Sequence, residues 1–197
     1  MKYRTLGQGL KVSAIGIGCM PMIRDGNINY GRANDDVSTR TIHEAIDLGI
    51  TFFDTAEMYG PFTNEELVGK AIKGKRAGLI IATKFAMAWD GNTPTGVDGS
   101  PANARRACEG SLKRLGIDTI DLFYQHRVDP NVPIEETVGG MANLVAMMSP
   151  SRFPMMAFPT SSSLVNGPYI SAVSKNVIPR SIASWIVRVE TSSFARP

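Results

Sequence analysis

Along the first 145 positions, short apolar blocks alternate with stretches of helical spacing. "YRTL" and "LKVSA", separated by "GQG", predict a small hairpin. "IGIGCM" (15–20) predicts a short buried strand. From Asn34 to about Leu48 the pattern is helical: Asn34 suits the N-cap, Asp35 and Asp36 suit the positive first turn, and Gly49 ends the run. Ile42, Ala45 and Ile46 fall on one stripe of that helix. "ITFFD" (50–54) predicts the second strand. The next helix is expected to be capped by Asn64, with Glu65 and Glu66 in its first turn and Leu67, Val68, Ala71 and Ile72 facing inward. "GLIIATKF" (78–85) is continuously apolar up to its lysine, as in a parallel strand covered on both faces. A longer connection, "AMAWDGNTPTGVDG", leads to a helix that starts at Ser100 and Pro101 and ends at Gly116. "TIDLFYQH" (119–126) predicts the fourth strand, and "PIEETVGGMANLV" (133–145) begins another helix.

Four strand–helix units in sequence imply parallel strands joined by right-handed crossovers. That leaves a doubly wound sheet or a (β/α)8 barrel. After Val145 the rhythm stops. "SLVNGPYISAVS" and "SIASWIVRVE" fit a strand or a short helix equally well, and the tail is expected to be largely irregular. Charge breaks at the same place: residues 1–145 carry 16 Lys+Arg and 17 Asp+Glu, whereas residues 146–197 carry 5 Lys+Arg and a single acid, Glu190. The chain therefore divides into a segment 1–145 and a segment 146–197 of different kind. Its overall net charge of +3 makes no case for a nucleic-acid partner. Cys19 and Cys108 lie far apart without metal-type spacing, which predicts free thiols, a reducing compartment and no metal. No apolar run approaches the roughly 20 residues that span a bilayer. The N-terminus lacks a signal-peptide core, so a cytoplasmic location without a membrane partner is expected.

Three successive strands finish on polar residues: Asp54, Lys84 and His126, with Tyr59 in the loop after the second. The C-terminal rim of a parallel sheet is where active sites gather, because its loops vary over a rigid floor. A phenol is a weak acid at neutral pH, and a nearby ammonium favours its ionised form. Asp54 would pair with Lys84 and keep it charged, and a neutral His126 could donate a hydrogen bond to a substrate carbonyl. Such a set protonates a carbonyl oxygen while hydride arrives at carbon. No side chain supplies hydride, so a nicotinamide cofactor is implied. Taken singly, each residue has a structural explanation: a turn cap for Asp54, a packed loop aromatic for Tyr59, an ion pair for Lys84, a core histidine for His126. Their grouping at adjacent strand ends favours the chemical reading. His43, mid-helix, is expected at the surface.

At these residues the chain resembles the aldo-keto reductases of the bacterial and plant type. The resemblance rests on "FFDTAEMYG", "IIATKF" and "DLFYQHRVDPNVPIEETV", and extends from the hairpin to about Val145. It implies the first half of a (β/α)8 TIM barrel, with about four βα units, that reduces aldehydes or ketones with NADPH. In that reading Tyr59 donates the proton, Lys84 and Asp54 tune it, and His126 orients the carbonyl substrate. "GIGCM" matches the first-strand segment beside the cofactor, which adds Gly18, Cys19 and Met20 to Asp54 as cofactor candidates. Trp89 is a candidate for the substrate pocket.

The tail departs from the family. The serine/asparagine pair, the glutamine, the stacking ring and the basic residues that hold the 2′-phosphate have no match in 146–197, and its Arg152, Lys175, Arg180, Arg188 and Arg196 lack the surrounding pattern. No G-x-G-x-x-G loop is present either. NADPH binding is accordingly expected to be impaired, and a barrel cut after four strands to expose two edges that invite self-association. The abrupt change near Val145 points to a tail arising by a shifted frame, altered splicing or truncation. The rival function is a catalytically inactive fragment or interaction module.

Overall fold

A computed structural model of the chain describes residues 1–6, 9–23, 34–148 and 187–190. Segments 149–186 and 191–197 lie outside the described residues, so the irregularity expected of the tail is addressed only at 187–190.

Strands β1 (Tyr3–Leu6) and β2 (Leu10–Ser13) form the expected antiparallel hairpin, with Leu6 opposite Leu10. Then follow β3 (Gly16–Gly18), α1 (Asp35–Asp47), β4 (Phe52–Asp54), α2 (Thr63–Ile72) and β5 (Ile80–Phe85). A second hairpin, β6 (Met87–Asp90) and β7 (Thr93–Val97), precedes α3 (Pro101–Leu115), β8 (Thr119–Gln125), α4 (Ile134–Met148) and β9 (Val187–Glu190).

Strands β3, β4, β5 and β8 pair in parallel and in chain order. That order selects between the two architectures. Right-handed crossovers that always advance the same way keep every helix on one face, as in a barrel, whereas a doubly wound sheet reverses direction. The fold is half of a (β/α)8 barrel. The helices bury its outer face: Ile42, Phe53, Val68, Ile72, Ile81 and Leu115 form one core cluster, and Phe85, Ala107, Leu112, Phe123 and Met141 belong to a second. On the concave face an open cavity of about 510 Å³ is lined by Leu6, Val12, Ile17, Phe52, Asp54 and Tyr124, among others. In a closed barrel, side chains from further strands fill that space.

Local signals explain most helix ends. The Asn34 side chain accepts a hydrogen bond from Val37 N (2.8 Å), the Ser100 side chain accepts one from Asn103 N (3.2 Å), and Gly116 closes α3 at φ +63°. Asn64 is a correction. α2 begins two residues earlier than that cap implies, after Phe62, and has no side-chain cap. Asn64 is buried instead, where its amide donates to the carbonyls of Cys19 (2.8 Å) and Met22 (2.7 Å) and accepts from Thr55 Oγ1 (2.5 Å). It ties the loops after β3 and β4 together, because buried carbonyls need donors. His43 is also less exposed than expected, with Nε2 2.8 Å from the Ala71 carbonyl.

The connection after β5 is a hairpin, built on the two-residue turn Gly91-Asn92. At the other end of the sheet, β9 pairs antiparallel with β8, Thr119 facing Glu190 and Ile120 facing Val189. One of the two edges expected to be bare is therefore covered, and 187–190 is strand. β3 has no second neighbour among the described residues. Among those residues no helix is long and apolar enough to cross a membrane.

Candidate active site

The barrel geometry brings the four strand-end residues together. Asp54 ends β4, Lys84 lies near the end of β5, and His126 follows β8, where its backbone N–H reaches the Phe85 carbonyl at 2.8 Å. Lys84 Nζ donates to Asp54 Oδ1 (2.5 Å), the Thr55 carbonyl (2.8 Å) and the Tyr59 hydroxyl (3.1 Å). Three acceptors match the three hydrogens of an ammonium. The Lys84 side chain is 15% exposed, so this satisfaction is what allows the charge to sit there.

Tyr59 is held by a short loop. Its N–H bonds to the Ala56 carbonyl (3.1 Å), the Phe62 N–H bonds to the Glu57 carbonyl (2.8 Å), and the ring packs in a cluster with Ile23 and Ala56. The His126 ring stands edge-on to that of Tyr59, centroids 5.9 Å apart at 89°. Burial, then the positive charges of Lys84 and Arg127, pushes the His126 pKa down to about 4. The imidazole is neutral at neutral pH and carries one N–H to donate. Its Nδ1 is buried without a protein partner.

The cofactor candidates divide. Gly18 pairs with Asp54 in the β3–β4 register, and a Cβ placed on it would meet nothing within 4 Å. It therefore offers an open, flat floor beside the Asp54–Lys84–Tyr59 group, a surface that suits a planar ring. Met20 is partly buried and packs against the Tyr59 cluster. Cys19 is a correction as far as its side chain goes. The thiol is fully buried in the core, with its pKa raised to about 12, chiefly by that burial. Its backbone is committed too, the N–H to the Asp54 carbonyl (2.8 Å) and the carbonyl to Asn64. The alternation continues past the end of β3, so Cys19 turns toward the helix-covered core when Gly18 faces the concave side. Trp89, in β6, packs against Phe62 with centroids 4.6 Å apart and the rings tilted by 45°, next to the loop that carries Tyr59.

Tyr124 was not singled out from the sequence. It lies beside Lys84 in the β5–β8 register and lines the same cavity as Asp54. Burial, with Asp54 adding to it, raises its pKa to about 12, so it stays a neutral phenol. Its position two residues before His126, hence on alternate residues of one strand, was the available signal.

The model of the aldo/keto reductase family matches residues 14–147. The chain belongs to the aldo-keto reductase family. It is 48% identical over 143 residues to "Probable aldo-keto reductase 1" of Glycine max, a match covering 70% of this chain and 39% of that protein. Among solved structures, it is similar to the aldo-keto reductase AKR11C1 from Bacillus halodurans in its holo form, at TM-score 0.64 and 37% identity over 73% of this chain and 46% of that one. The glycerol dehydrogenase AKR11B4 from Gluconobacter oxydans is similar at TM-score 0.61 and 33% identity, over 72% and 44%. The chain thus spans less than half the length of these relatives. The family generally uses a nicotinamide cofactor, and Gly18 and the buried, unpartnered Nδ1 of His126 are compatible with the redox end of such a group.

Proposed function

We propose that this chain carries the proton-transfer centre of an NADPH-dependent reductase of aldehydes and ketones. The observation that supports this is the Lys84 ammonium bonded at once to the Tyr59 hydroxyl and to Asp54. In this reading Tyr59 gives its proton to the carbonyl oxygen. Lys84 donates to the phenolate oxygen left behind, and Asp54 holds the ammonium in place and charged. His126, neutral by virtue of its low pKa, donates to the carbonyl and orients it. Bound NADPH would supply hydride to the carbonyl carbon. Gly18 and Met20 would form its floor, and Trp89 a wall of the substrate pocket. Residues 1–145 would hold all of this, although the expected boundary at 145 is crossed by α4, and β9 of the tail joins the same sheet. Two free, buried thiols, Cys19 and Cys108, suit a reducing, cytoplasmic setting.

A second reading is favoured by length: the chain covers 39% of its Glycine max relative, so it could be a silent fragment that binds other subunits. Consumption of NADPH with a generic aldehyde separates the two. General acid catalysis contributes about 10²–10⁴-fold, so Tyr59→Phe should lower the rate by at least that lower figure without unfolding the protein. A wild-type rate equal to that of Tyr59→Phe would defeat the enzymatic reading.

A further inference from the structure

We propose that Glu57 and Arg106 act as a pair of positioning residues that fix the Tyr59 loop and the Trp89 hairpin relative to each other, an inference that rests on the carbonyl-reductase reading. Glu57 lies between Asp54 and Tyr59 in sequence, and it is 0% exposed. A buried carboxylate is costly and persists where its partners hold something in place. Here the partner comes from α3. Arg106 Nη2 donates to Glu57 Oε2 at 2.9 Å, and Arg106 Nε donates to Asn103 Oδ1 at 2.8 Å. Asn103 in turn donates to the carbonyls of Met87 (3.2 Å) and Asp98 (2.7 Å), the first residue of the β6–β7 hairpin and the residue just after it.

One helix face therefore grips two loops that meet at the site. The backbone of Glu57 closes the Tyr59 turn through the Phe62 N–H, and the Phe62 ring carries Trp89. Glu57 Oε1 and the Trp89 indole nitrogen are both buried, and neither makes a hydrogen bond of ordinary geometry. Burial raises the Glu57 pKa, and Arg106, then the Trp89 indole, oppose that rise by favouring the charged form. The nearby carboxylate of Glu65 adds to that rise and is itself paired with Arg114 at 2.6 Å. A neutral amide at position 57 keeps the shape and removes the charge that recruits both partners.

The test uses the full chain carrying Trp185→Phe, so that Trp89 is the sole indole. Adding Glu57→Gln should raise collisional quenching of Trp89 by acrylamide roughly two-fold, as local packing loosens. With an aldehyde and NADPH it should lower kcat about 10- to 100-fold, with KM for NADPH little changed, because small misplacement of a proton donor costs on that scale. Arg106→Lys retains the charge opposite Glu57 but loses the Nε donor to Asn103, so it should shift both readouts in the same direction by less than Glu57→Gln does. It also serves if Glu57→Gln fails to fold, since the Arg106 side chain is 46% exposed. Quenching unchanged in both variants overturns the proposal, as does unchanged kcat in an active parent. An inactive parent defeats the reductase reading, and quenching alone then decides this one.

Discussion

Three acceptors crowd around one ammonium at the mouth of the half-barrel, and a neutral imidazole sits across from them. The two basic groups share the site because only one is charged: Lys84 has Asp54, whereas His126 is buried near two cations and takes up a proton only near pH 4. That depressed value has a sign. The unfolded chain binds the proton from about pH 6.5 downward, so the stability His126 contributes is present above 6.5 and lost as pH falls toward 4. His126→Gln should therefore flatten the fall of Tm between pH 6.5 and 4, measured by thermal denaturation across that window. Equal slopes in wild type and variant would contradict the burial and charge argument. Glu57 works the other way: its raised pKa contributes stability below its ordinary value of 4.5 that is lost as pH rises through the folded value.

At the level of elements, two adjacent glycines in α4 make opposite demands. A Cβ on Gly140 would come 2.6 Å from Pro101 Cβ, at the point where α4 crosses the start of α3. A Cβ on Gly139 would meet nothing within 4 Å. Gly139→Ala should raise stability by about 0.5–1 kcal/mol through helix propensity. Gly140→Ala should lower it by about 1–3 kcal/mol, because backbone and ring cannot yield. Chemical denaturation of the two variants reads both; the same sign for both would refute the crossing geometry. Gly69 is similar, as a Cβ there would collide with the Leu115 carbonyl and part α2 from α3. Helix ends such as Asn34, Ser100 and Gly116 were legible because capping is local. Asn64 was misread because a polar residue near a helix start has two uses. Whether it caps or props distant loops depends on what tertiary packing buries beside it.

For the whole molecule the governing fact is an open half-barrel with one covered edge. β9 pairs with β8 on one side, while β3 ends the sheet on the other among the described residues. Unpaired edges template association. Deleting residues 187–197 should therefore bare the β8 edge and increase concentration-dependent self-association, followed by sedimentation velocity. An unchanged monomer–oligomer balance would show that β9 does not protect the sheet. Its antiparallel direction was not readable in advance. "VRVE" alternates suitably for a strand, but pairing direction is set by where the chain returns, which no local pattern encodes.

From its linear order alone the chain settled the alternation of strands and helices, the parallel pairing that follows, and the candidacy of Asp54, Tyr59, Lys84 and His126. These depend on periodicity, capping and residue chemistry within short windows. The spatial order of the strands chose the barrel over a doubly wound sheet. Folding in space decided the rest: which way Cys19 points, what Asn64 and Glu57 hold, that Tyr124 joins the cavity, and that α3 locks the loops of the site together. Each of those depends on partners that lie far apart in the chain and meet only after the helices pack.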